Sequence, residues 1–423
     1  MITRCVFLFA LPLAAAVVEQ GPKDSAPSGL LAGVARADIT PPIGIAQMNW
    51  GSQTHVGAES IDPAGFLATA LVLANGNQKF VMVDVDHISA EPFEPVIARA
   101  AAATGIPAAH IRVGVSHTHA GPLLTAVKGP VGIDLAPYRE VFQNYRKAVE
   151  DKIVGAIVEA NSKLQPAHVG GAKGIGTINV NRRFRAANGN PPAVGRYPEG
   201  FLDRELNVLR IDDARGNPLA VIVNYQCHGT VLAFENKALS PDWIGMTRKT
   251  VERALPGSKC LYFQGAAGNQ GPVEGFSGDV GVAHRLGSIL GHQAAALAMQ
   301  IETVRREPTF EGFVESTAYQ ARQYWKVKGP RDAQLKFAIE RVDVPRRTYS
   351  RQEIDDMRAR VERAEKAVET NRTYQTEARL RRFKDLLAQW QEPVDPTPRK
   401  VDLQVLRIGE YAIVAMPGEP FAE

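Results

Sequence analysis

Ile111-Arg112-Val113-Gly114-Val115-Ser116-His117-Thr118-His119-Ala120-Gly121-Pro122 is the stretch from which both fold and chemistry are read. An apolar run of strand length delivers two imidazoles at i and i+2, which point to one face while extended geometry lasts. Gly-Pro then turns the chain away. Neutral imidazole is a favoured zinc ligand, so the pair supplies either two ligands or one ligand and a neighbouring acid or base.

Working outward, apolar runs of the same kind recur at Leu67–Ala74, Phe80–Val85, Leu206–Ile211, Ala220–Tyr225 and Cys260–Phe263. Several are continuous enough to be buried on both faces. Between them, Pro92–Ala103, Tyr138–Asn161, Trp243–Ala254 and Val280–Ile301 have the length and spacing of helices packed on a sheet. The fold class is therefore α/β, with mixed sheets covered by helices. From Arg351 to Gln391 the composition turns to Arg, Glu, Lys and Gln with sparse apolar positions, a long polar helix or helical hairpin inserted at about 351–392. A hairpin over Val401–Ile408 and Tyr411–Ala415 follows. No repeat of 20 to 50 residues is visible.

Strand ends are where sites in α/β proteins sit, and three more carry suggestive residues. His228 closes the run Val221–Cys227, and the loop after it holds Asp242, placed to cap the helix from Trp243. Gly265 to Pro272 is a glycine-rich turn that permits close backbone approach, without the spacing of a dinucleotide or Walker loop. Pro417-Gly418-Glu419 presents a carboxylate. Asp86, after Phe80–Val85, is a candidate to support a metal-bound imidazole, as is Asp242. Arg182, in Asn181-Arg182-Arg183, offers a guanidinium to a developing oxyanion. His55, His110, His168, His284 and His292 read as structural or surface residues. A Gly-x-Ser-x-Gly elbow is absent, which argues against a serine hydrolase of that type.

Composition narrows the field. The chain is 45% hydrophobic and 22% charged over 423 residues, an ordinary globular balance that excludes wholesale disorder. Its 49 basic and 45 acidic residues are interspersed, so a nucleic-acid partner lacks its basic face. Residues 1–20 read as an export leader, with Arg4 ahead of an apolar run from Val6 to Val18, and residues 21–29 as a linker. That implies a secreted or periplasmic protein with its catalytic unit over residues 30–423. Cys227 and Cys260 then remain, compatible with a disulfide or with buried thiols.

Asp38-Ile39-Thr40-Pro41-Pro42, the His117–Pro122 run, Asn181-Arg182, the His228–Asp242 region, Gly265–Pro272 and Pro417-Gly418-Glu419, in this order, resemble the neutral/alkaline non-lysosomal ceramidase family. The resemblance implies the N-terminal catalytic domain of that family, one zinc ion, and hydrolysis of the amide bond of an N-acyl lipid, ceramide giving sphingosine and a fatty acid. It implies His117, His228 and Glu419 as zinc ligands, with His119 catalytic beside them and Arg182 assisting. Gly268, Asn269 and Gly271 would form a substrate or oxyanion loop. The family's serine nucleophile is replaced here by Gly271, so a metal-activated water would attack. Its tyrosine ligand lies downstream of the Pro-Gly-Glu turn, beyond Glu423. Another amide or ester substrate, or a binding module, is the alternative that Gly271 raises, and contact with a membrane surface fits a lipid substrate.

Overall fold

The computed structural model describes residues 3–9, 29–47, 55–90, 93–122, 136–184 and 193–423. Of the expected leader, Thr3–Phe9 is described and forms a strand paired with Tyr411–Pro417; the rest of it, the linker up to Ser28 and Pro92 lie outside the described residues.

Eight strands build the central sheet: β1 (Leu31–Asp38), β2 (Leu67–Asn75), β3 (Gln78–Val85), β4 (Ile111–Val115), β5 (Gln165–Ile175), β6 (Glu205–Asp213), β7 (Pro218–Tyr225) and β8 (Lys259–Gln264). Their spatial order is β8-β7-β6-β5-β1-β2-β3-β4. Four helices accompany them, α1 (Glu94–Thr104), α2 (Arg139–Ser162), α3 (Trp243–Ala254) and α4 (Val280–Gln300). The chain thus passes one arrangement twice. In each half two antiparallel pairings, β1–β2–β3 or β5–β6–β7, are followed by a helical crossover to a parallel neighbour, β3 to β4 or β7 to β8, and then by a second helix. Among the described residues the only strand pairing between the halves is a short β1–β5 ladder at Leu31–Pro166 and Ala32–Gln165.

Strand alternation explains why both faces are apolar. Val81, Val83 and Val113 share one core with Ile153 and Ile157 of α2, while Val221, Val223 and Tyr262 share another with Leu286 and Leu290 of α4 and Trp243 of α3. The alternate residues Leu71 and Met82 of the first half and Ile222, Leu261 and Phe263 of the second form a third core between the halves. The layers therefore run helix, sheet, sheet, helix. The Tyr262 N–H of edge strand β8 donates to Asp84 on β3 at 2.8 Å, and Arg36 on β1 donates to the Cys260 carbonyl at 2.9 Å. At this seam the fully buried Arg248 of α3 holds Asp84 and Asp86 of the first half through four hydrogen bonds of 2.8–3.0 Å.

The third core is closed by Leu406, Ile408 and Ile413 from an antiparallel sheet of Leu335–Val344, Arg399–Ile408, Tyr411–Pro417 and Thr3–Phe9. That sheet carries the Pro-Gly-Glu turn to the site. The polar insertion is a helical hairpin, α5 (Arg351–Thr370) and α6 (Tyr374–Gln391), each opened by a capping box. Strands β1 and β5, Leu335–Val344 and a hairpin of Val304–Val314 with Gln320–Pro330 were not anticipated. Cys227 and Cys260 are buried thiols. Cys260 pairs with Val221, six residues before Cys227, which separates the two by roughly 20 Å along the strand direction.

Candidate metal centre

The loops after β4 and β7 meet, with Thr118 and Gly229 forming a parallel bridge and the His119 N–H donating to the Gly229 carbonyl at 3.1 Å. The meeting requires glycine at 229, because a Cβ there would lie 2.8 Å from the His117 carbonyl oxygen. The loops are anchored where Thr118 donates to the Ser240 carbonyl and the Trp243 indole donates to the His228 carbonyl. His117 and His119 do share one side, with ring centroids 4.7 Å apart, but the extended geometry expected for them has already ended. Strand β4 stops at Val115 and His117 takes a left-handed φ of 61°, a conformation that costs energy for a non-glycine residue and clusters at functional sites.

His117 Nε2 lies 3.1 Å from His228 Nε2 and 3.2 Å from His119 Nε2. His117 and His228 are buried and His119 is partly exposed. Each buried ring is oriented from behind, His117 Nδ1 by the Ile88 carbonyl and His228 Nδ1 by the Ala267 carbonyl, both at 2.6 Å. A carbonyl only accepts, so both Nδ1 atoms carry hydrogen, and in neutral rings both Nε2 atoms present bare lone pairs to each other. Two lone pairs at 3.1 Å need a cation between or beside them. Two nitrogens about 2.0–2.1 Å from one ion at a tetrahedral angle stand roughly 3.3 Å apart, so the spacing fits a zinc-sized ion.

The Pro-Gly-Glu turn adds a carboxylate. Glu419 Oε1 is 2.9 Å from His117 Nε2, and Oε2 is 3.7 Å from His228 Nε2 and 3.8 Å from Arg182 Nη2. Gly268 lets that turn approach, since a Cβ on it would lie 2.7 Å from the Glu419 carbonyl oxygen. The predicted set His117, His119, His228, Glu419 and Arg182 is therefore brought together. Arg182 donates Nε and Nη2 to the Gly268 carbonyl at 3.1 and 3.0 Å, and burial lowers its pKa against the pull of Glu419. Beside it a cavity of about 300 Å³ is lined by Arg182, Arg196, Thr230, Gly271, Val273 and Phe276 among others.

Residues 30–281 match the family described as neutral/alkaline non-lysosomal ceramidase, N-terminal. The chain belongs to that family. It is 30% identical over 151 residues to neutral ceramidase B of Dictyostelium discoideum, covering 35% of this chain and 20% of that protein. To the neutral ceramidase of Pseudomonas aeruginosa it is 28% identical over 167 residues, 38% of this chain and 24% of the relative. The crystal structure of a neutral ceramidase from Pseudomonas aeruginosa shares the fold, with a TM-score of 0.57 at 19% identity, over 90% of this chain and 61% of that one. The ceramidase-family chain thus spans under two thirds of its structural neighbour.

Several expectations for this family member are corrected. Asp86 and Asp242 do not orient the imidazoles. Asp86 is engaged by Arg248 and the Leu67 N–H, and Asp242 accepts from the Leu232 and Trp243 N–H groups as the cap of α3. Backbone carbonyls of Ile88 and Ala267 take that role, and backbone atoms leave no signature in sequence. The Gly268 amide is not available to an oxyanion, because it donates to the Pro420 carbonyl at 2.9 Å. Asn269 is buried and holds the segment after the Pro-Gly-Glu turn, accepting from the Ala422 N–H at 2.9 Å. Gly271 faces the Arg182 stem, whose Cβ would lie 3.2 Å from a side chain added there. Arg248 was missed because its partners, Asp84 and Asp86, are distant in sequence.

Proposed function

We propose that this ceramidase-family chain is an exported, zinc-dependent hydrolase that cleaves the amide bond of an N-acyl lipid of the ceramide type. The observation that carries the reading is the pair of buried imidazoles, each with its Nδ1 committed to a carbonyl and its Nε2 turned on the other beside Glu419. His117, His228 and Glu419 would hold the ion. Zinc supplies Lewis-acid polarisation of an acyl carbonyl and lowers the pKa of water to about 7.

The chain's own residues do the rest. The partly exposed His119, 3.2 Å from His117, is the imidazole able to exchange protons with substrate, taking one from water and returning it to the leaving amine. Arg182 has donors beyond those given to Gly268, and these face charge developing on the acyl oxygen. Glycine at 271 offers no hydroxyl at that position, so water is the nucleophile that these residues allow. The same glycine favours a second reading, in which the bond is another amide or an ester. The apolar run after Arg4 supports export.

A panel of N-acyl and O-acyl lipids tests this. Hydrolysis of an N-acyl lipid should disappear with chelator and return with zinc, and His119→Ala should lower kcat by about 10² to 10⁴. Turnover indifferent to chelator refutes the metal role, and turnover of esters alone selects the second reading.

A further inference from the structure

The hairpin Val304–Val314/Gln320–Pro330 is two-faced, yet among the described residues one of its faces is left uncovered. Pro308 stands opposite Trp325, Arg306 opposite Val327 and Phe313 opposite Ala321. Pro308, Phe310, Phe313, Trp325 and Val327 therefore share one face. Phe310 packs edge-on against Phe313 at 5.2 Å, and Tyr319 from the turn stacks on Phe313 at 4.8 Å. Trp325 is 62% exposed, Val327 61% and Tyr319 70%. The opposite face is polar and internally paired, with Lys326 on Glu311 and Lys328 on Glu307. Alternation of this kind specifies a buried face, and a contiguous exposed apolar patch marks an interaction surface.

We propose that this face seats on an anionic lipid bilayer, the aromatic rings entering the headgroup boundary and the Arg306 guanidinium meeting a lipid phosphate. Charge decides between this occupant and a second copy of the chain. Arg306, opposite Val327, shares the apolar face and among the described residues forms no ion pair, whereas Glu307 and Glu311 are paired on the other face, where Arg322 lies over the Tyr324 ring at 5.9 Å. Two copies of the face would oppose like charges, whereas an anionic surface complements them. Phe, Tyr and Trp flanked by basic residues are the composition of interfacial segments. Among the described residues no helix is long and apolar enough to cross a membrane, so this attachment lies in the plane of the interface. It does not depend on the catalytic reading, and its readout involves no hydrolysis.

The full chain should sediment with vesicles of phosphatidylcholine and phosphatidylglycerol and much less with phosphatidylcholine alone. Arg306→Gln should weaken binding about five-fold at low salt, and Arg322→Gln, on the opposite face, should weaken it less. Brominated lipid should quench tryptophan emission in the parent and not in Trp325→Phe, with far-ultraviolet circular dichroism unchanged in every variant. Absence of binding to anionic vesicles overturns the proposal. So does binding insensitive to these substitutions, or a dimer in solution that Trp325→Ser dissociates.

Discussion

The two halves of the central sheet use one arrangement for opposite tasks at equivalent strand ends. In the first half the end of β4 supplies imidazoles, His117 and His119, and the end of β3 supplies a carbonyl, Ile88, that orients His117. In the second half the roles are exchanged, with His228 after β7 and the orienting Ala267 carbonyl after β8. A histidine also follows β3, but His87 is turned edge-on to Phe93 at 5.5 Å, and burial pushes its pKa down to about 4. The difference teaches that a histidine at a parallel strand end becomes a candidate ligand only when a neighbouring backbone carbonyl aims it at a second imidazole. The halves also differ in their helix starts. Asp242 and Asp279 cap α3 and α4, while α1 and α2 begin without a side-chain cap.

The largest effect should come from the seam. Arg248→Ala leaves Asp84 and Asp86 buried without their cation, a loss of about 3–5 kcal/mol that a denaturant titration would register. A cost near zero would mean that the halves are held together by apolar packing alone.

Next comes the cap of α3. Burial raises the pKa of Asp242 to about 7 against three backbone amides that favour the anion. A raised carboxyl pKa means that the stabilisation is full below the ordinary value of 3.8 and is lost as pH rises through about 7. Asp242→Asn, which tolerates the positive φ of 57° at that residue, should flatten this fall in stability, measured as unfolding midpoints across that window. The smallest effect belongs to α4, where Asp279→Ala removes the bond accepted from the Gly281 N–H and should cost about 1 kcal/mol. No equivalent substitution exists at Tyr138, the uncapped start of α2.

Much of this comparison was legible before any coordinates. Continuous apolar runs placed β3, β4, β7 and β8, and the span of α3 was read without error because Asp242 caps it and its apolar face repeats at helical spacing. Strand β5 was not legible, because Gln-Pro-Ala-His-Val-Gly-Gly-Ala-Lys-Gly-Ile has neither alternation nor a long apolar run, and its pairing with β6 makes it a strand. The hairpin at 304–330 was hidden by the charged run Arg305-Arg306-Glu307 and by Lys326 and Lys328, which break up its apolar positions. At the site, histidine and glutamate types were visible, whereas the carbonyls that aim them and the left-handed turn at His117 depend on tertiary contacts. The two-fold plan escaped notice because it repeats topology over more than a hundred residues rather than a short motif.

Elemental analysis of the purified chain and two variants tests the central claim most directly. The parent and His87→Gln should each carry about one divalent ion per chain, whereas His228→Ala should carry none. Equal metal content in all three proteins, or its loss in His87→Gln with retention in His228→Ala, would contradict the assignment of the centre to His117, His228 and Glu419.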